Sequence, residues 1–161
     1  MYVTAEEFAE MYPSADAGTY DKYAWDAQRY LDSATMCVDG TKKLKYAFPE
    51  DEDDAEAVKR CMGAMIMALD EVGKAHDAMA QAGGYKTTTA GVISNSVRSV
   101  SAGGESITYG VDANAKTEAQ AAAQSNSALK AYMFGIVRHY LSGVSDDNGV
   151  RLLYGGRYPN V

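Results

Sequence analysis

Between residues 53 and 83, Val58, Met62, Met65, Leu69, Val72, His76 and Met79 recur at alternating steps of four and three, placing one side chain per turn along a single helical face. One position earlier runs a stripe of small residues, Ala57, Cys61, Ala64, Ala68, Ala75, Ala78 and Ala82, interrupted by Glu71, along which another helix can approach closely. The third face is charged. It carries Glu56, Lys59, Arg60, Asp70, Lys74 and Asp77, with the pairs Glu56 to Arg60 and Asp70 to Lys74 placed for local support. Acidic residues 51–54 suit the positive start of a helix, and Gly83-Gly84 stops it. A rod of about 45 Å, at about 1.5 Å per residue, is predicted, and the rest of the chain has to be organised around it.

Ahead of the rod, Thr4 and Glu7 have capping-box spacing for a short helix through Met11, which Pro13 forbids from continuing. Residues 20–38 place Tyr23, Ala24, Ala27, Tyr30, Leu31 and Ala34 on one face of a second helix. Trp25 and Met36 point to its other side, amid Asp21, Arg29 and Asp32. They read either as a candidate subunit contact built from Trp25, Arg29 and Met36, or as a Trp ring lying over its own Arg29 one turn on or capped by a loop. Asp39-Gly40 ends this helix, and residues 42–49 form a polar connection with room for one short turn. The run Glu50-Asp51-Glu52-Asp53-Asp54 lacks the alternation and sharp-turn glycine of a calcium loop, so it reads as a solvated helix start.

Beyond the rod the period changes. Residues 92–100 and 106–109 are β-prone and flank a glycine-containing linker, which predicts a hairpin over 90–110. A lone two-stranded ribbon is marginal in water, so it needs a neighbour, either its own helices or ribbons of other subunits. Helical spacing returns over 115–141 with Ala119, Ala122, Leu129, Met133, Ile136 and Tyr140, its bulk concentrated in the second half, and Gly143 closes it. Residues 145–161, around Leu152-Leu153-Tyr154, are too broken for a helix and too apolar for an inert tail. The expected fold is mainly α: a small helical bundle around one long central helix, with an inserted β-hairpin and an extended C-terminal tail. It forms a single domain over 1–161, with its helical core in 4–83 and 115–142.

With 161 residues, 47% hydrophobic and 23% charged, the chain is large enough to bury one core without staples. A net charge of −7 and the absence of a Lys/Arg cluster in the sequence disfavour tight duplex binding, although an acidic surface can let DNA pass. Twelve Tyr against three Phe and one Trp suit wet interfaces. Cys37 and Cys61, without paired spacing, are expected as buried reduced thiols. With no leader pattern and no apolar run of membrane-spanning length, a soluble protein made in the cytoplasm is expected. His76 reads as a core histidine and His139 as a cationic group near a helix end. Residues 83–87 lack the first glycine of a phosphate loop, and 103–106 lack the glycine after serine of a nucleophile elbow. No catalytic, cofactor-binding or metal-binding residues are predicted.

Three features occur in order: a long helix after an acidic start, a serine-rich ribbon from Ile93 through Val100 to Ser106-Ile107-Thr108-Tyr109, and Leu152-Leu153-Tyr154-Gly155-Gly156-Arg157 near the end. In that order they resemble the head-tail connector, or adaptor, proteins of long-tailed double-stranded DNA phages. The family typically has Arg directly after the Leu-Leu-Tyr triplet; here Gly155 stands there and Arg157 follows two later. The resemblance implies a structural virion protein at the virion neck, monomeric before docking, which assembles as a homo-oligomeric ring of about a dozen copies under the portal protein. Such a ring extends the DNA channel, passes DNA without sequence-specific binding and receives a tail-side stopper or completion protein. Carried onto this chain, Val92, Val97, Arg98, Val100, Ile107 and Tyr109 belong to the intersubunit and channel ribbon, and Leu152, Leu153, Tyr154 and Arg157 to the portal-facing tail. Acidic side chains are expected to line the pore. The alternative is a small helical phage or bacterial protein-binding regulatory module without catalytic activity.

Overall fold

The computed structural model describes residues 1–82, 99–102, 105–108 and 117–159. Helix α1 (Ala5–Met11) starts at Thr4, whose hydroxyl accepts the Glu7 N–H at 3.2 Å while the Glu7 carboxylate accepts the Thr4 N–H at 2.8 Å. This reciprocal pair satisfies two donors that a helix start leaves open. Helix α2 (Thr19–Ala34) buries Ala24, Ala27 and Leu31, with Tyr23, Tyr30 and Ala34 half-buried, on the face the spacing predicts. It ends at Ala34 rather than at 38. The Thr35 hydroxyl donates to the Leu31 carbonyl at 3.0 Å, and the chain then doubles back, with Met36 bridging Lys42 and Gly40 at φ 86°. Helix α3 (Lys43–Tyr46) follows and buries both Lys43 and Leu44.

Helix α4 (Glu52–Ala82) has 31 residues, about 46 Å at about 1.5 Å each. Its start is capped by Asp51, whose carboxylate accepts the N–H groups of Asp53 and Asp54 at 3.1 Å. Val58, Met62, Met65, Leu69 and Val72 are buried as the stripe predicts, together with Ile66, which lies off it, and Cys61 and Ala68 from the small-residue stripe. At Gly63 an added Cβ would meet a Tyr12 ring carbon at 2.9 Å, so only glycine lets the end of α1 lie this close. The stripe stops working after Val72. His76, expected in the core, has a side chain 68% exposed, and Met79 is exposed as well. Among the described residues α4 outruns its neighbours, and nothing in them covers those last turns. Asp70 departs in the other direction, lying buried with its carboxylate 2.8 Å from Lys74, which also bonds Asp16 at 2.6 Å.

The helix predicted over 115–141 is two. Helix α5 (Glu118–Ala122) has a capping box between Thr117 and Gln120, and α6 (Asn126–Leu141) starts at Ser125, whose hydroxyl accepts the Ala128 N–H at 3.1 Å. Ala119 and Ala122 of α5 cover Val72, while Met133, Val137 and Leu141 of α6 meet α2 and α4. The fold is therefore a mainly helical bundle whose core lies between α2, α4 and α6. None of the described helices is long and apolar enough to cross a membrane. Most of the hairpin expected over 90–110 lies outside the described residues. Within it, strands β1 (Ser99–Ala102) and β2 (Glu105–Thr108) pair antiparallel, with Val100 opposite Ile107.

Both thiols are inside. Cys61 has no exposed surface and burial pushes its pKa up to about 12; Cys37 is 2% exposed. At about pH 8 a thiol reagent is expected to modify neither in the folded protein, and both once denaturant opens the core, so absorbance-monitored labelling should track global unfolding.

Candidate interaction surface

Residues 145–159 do not form an extended tail. Val144 and Leu152 enter the core, and Ser145 bridges Arg151 in a short antiparallel turn. The buried Asp146 carboxylate closes this turn by accepting the N–H groups of Asn148 at 3.1 Å and Val150 at 2.8 Å, and the Tyr158 hydroxyl at 2.7 Å. Burial and that hydrogen bond push the Tyr158 phenol up to about 12. The Ser145 N–H donates to Asp54 at 3.0 Å, tying the turn to the start of α4.

Lys43 is the pin of this assembly. Its side chain is fully buried, and its ammonium donates to the carbonyl oxygens of Arg151 at 3.1 Å, Leu152 at 2.8 Å and Tyr154. A buried ammonium is tolerated only where its donors are satisfied, and three carbonyls supply that. Burial pushes its pKa below the ordinary lysine value, opposed by the nearby Cys37 and Asp146.

Past Leu152 the chain crosses the 36–42 turn. The Val38 N–H donates to the Gly156 carbonyl at 3.3 Å, the Tyr158 N–H donates to Asp39 at 3.1 Å, and the Tyr46 and Tyr158 rings meet edge-on at 5.2 Å. Two segments distant in sequence thus form one surface. On it stand Met36, Val38, Tyr46 and Tyr154, four of the eight large hydrophobic side chains exposed among the described residues; Val38 is 80% exposed and Tyr46 68%. Residues 36–46 and 150–159 also carry five of the chain's fifteen basic residues and a single acid, Asp39. Lys43 of these five is buried, so the joined surface is apolar with a modest basic excess. Among the described residues, exposed Lys42, Arg151 and Arg157 form no salt bridge, whereas Lys45 pairs with Asp32 at 3.3 Å.

Of the residues singled out in the sequence, Met36, Tyr154 and Arg157 come together here. Leu152 does not join them: it is fully buried, because the Lys43 contacts hold its backbone against the core, and it is unavailable to a partner. Leu153 is half-buried. Trp25 and Arg29 stand apart on α2, with the guanidinium 4.6 Å from the ring centroid and the indole still 61% exposed. Beside them a groove of about 500 Å³ runs between α2 and α6, lined by Arg29, Tyr30, Met133 and Phe134. Val92, Val97, Arg98 and Tyr109 lie outside the described residues. Sequence reasoning missed Val38 and Tyr46: Val38 falls past the end of α2, inside the span expected to be helical, and Tyr46 ends the one-turn helix α3, too short for a periodic face to show.

The described residues define a mainly helical bundle with one basic and apolar surface at the C-terminal segment. No family model matches the chain, and no curated protein or solved structure is similar to it.

Proposed function

We propose that this chain is a structural subunit of the virion neck, a head-tail connector that forms a ring of about a dozen copies beneath the portal and carries out no turnover. The supporting observation is the surface gathered around residues 36–46 and 151–158. Half of the exposed large hydrophobics of the described chain lie there, and an apolar concentration of this kind marks a surface made to be covered. The order of features along the sequence supplies the kind of assembly. In this reading Tyr154 and Arg157 face the portal, with Leu152 serving as their internal anchor, and the ribbon residues Val92, Val97, Arg98, Val100, Ile107 and Tyr109 meet neighbouring copies. The ring prolongs the DNA channel, its acidic balance keeps the lumen from gripping phosphate, and its far side receives the tail-side stopper.

Negative-stain microscopy of the purified chain mixed with the portal of its virion tests this. Closed rings seated on the portal are expected. A one-to-one soluble complex with another protein, and no ring, would instead identify a regulatory binding module.

A further inference from the structure

The acidic run and the basic patch lie side by side. Ser145 donates to Asp54 at the start of α4 and is bridged to Arg151 of the patch, so Glu50, Asp51, Glu52 and Asp53 flank the surface that carries Lys42, Arg151, Val38 and Tyr46. Glu50 to Asp53 are exposed, and among the described residues none of them forms a salt bridge. Elsewhere the chain is acidic, with 22 acids against 15 bases in all, so two copies repel except where a positive patch can meet a negative one. A face carrying both signs in neighbouring halves is complementary to itself under a two-fold rotation, and apolar side chains in the same face supply burial.

We propose that, off the virion, this surface is covered by the same surface of a second copy, in place of the free monomer that the resemblance to connectors implies. In that reciprocal pair the acidic start of each α4 lies on the Lys42 and Arg151 edge of its partner, and Val38, Tyr46 and Tyr154 are buried between them. The inference rests on the reading of this face as a docking surface and adds its regulation: the pair masks the face until the portal displaces the second copy. Free subunits are then prevented from assembling on one another through exposed apolar groups.

The test is sedimentation velocity on the full chain at about 0.01 M and about 1 M salt, where the screening length falls from about 30 Å to about 3 Å. A dimer is expected at low salt that weakens at least about tenfold at high salt. Lys42→Glu with Arg151→Glu, or separately Glu50→Lys with Glu52→Lys, should each weaken it about tenfold or more. Combining all four in one chain should restore it to within about threefold. These side chains are exposed and outside the salt bridges of the described residues, so each variant should still unfold cooperatively, the Glu50→Lys, Glu52→Lys chain at a lower midpoint because it places positive charge at the start of α4. A wild-type monomer at low salt, a dimer indifferent to the reversals, or no restoration in the fourfold variant would overturn the pairing. Rings on the portal from a chain that never dimerises leave the connector reading standing without the pair. A reversible dimer with no ring on the portal does the opposite.

Discussion

Removing residues 145–161 is expected to unfold the protein rather than produce a folded chain that fails to dock. The deletion takes away Leu152, which is fully buried in the same cluster as Leu31, Met62, Ile66 and Met133. Loss of one such leucine with the cavity it leaves costs about 2–5 kcal/mol. The truncation also removes the three carbonyl acceptors of the Lys43 ammonium and uncovers the apolar side chains that pack with Leu152. The leucine loss alone is a large fraction of the stability of an ordinary domain, about 5–15 kcal/mol. Far-ultraviolet circular dichroism should show no cooperative thermal transition in the truncated chain. A cooperative transition close to that of the full chain would mean that the segment is an appendage after all.

This contrasts with what the sequence suggests for the same residues, and the source of the difference is physical. Helix α4 is legible because its information is local: repeated steps of three and four, an acidic start and a Gly pair at the end are all read within one segment, and Val58 to Val72 are buried as the pattern requires. The Thr4 and Glu7 capping box is legible for the same reason. His76 fails because periodicity reports which side of a helix is apolar, not where the neighbouring helix stops. The break between α5 and α6 is encoded in Ser125-Asn126-Ser127, but the alanines on either side carry the helical spacing across it.

The interaction surface lies beyond local reading altogether. Lys42, Lys43 and Lys45 surround Leu44 and resemble a solvated connection, yet the middle lysine reaches carbonyls 108 to 111 residues further on. Once Lys43 is fixed there, Leu152 turns inward, the segment beyond it crosses the 36–42 turn, and Tyr46, Tyr154 and Val38 are left outside. The buried charge and the exposed apolar groups thus belong to one arrangement of two segments distant in sequence. Ring formation and the DNA channel, by contrast, rest on the order of sequence features, because the ribbon that would carry them lies largely outside the described residues.

That arrangement makes Lys43→Met the most informative single substitution. Methionine matches the length and volume of the lysine stem, so the core around Leu44 and Leu152 should not collapse or overfill. What disappears is the donor to Arg151, Leu152 and Tyr154; the Arg151 carbonyl keeps the Tyr154 N–H at 3.0 Å, while those of Leu152 and Tyr154 lose the lysine donor. Hydrogen bonds to a charged group contribute about 1.5–3 kcal/mol each, but methionine also escapes the cost of burying an ammonium, so a net loss of about 3 kcal/mol is expected. It should appear as a lower urea midpoint at unchanged slope. The pH dependence carries its own signature. Burial holds the folded ammonium below its ordinary value of 10.5, so between the folded value and 10.5 the unfolded chain binds more protons. Through that window the Lys43 contribution grows as pH rises, and it falls away as pH drops through the folded value. The stability difference between wild type and Lys43→Met should therefore widen from neutral toward pH 10.5, where the other titrating groups, common to both proteins, cancel. A difference that is flat or shrinks over this range would mean that the carbonyl cage outweighs burial and holds the ammonium charged.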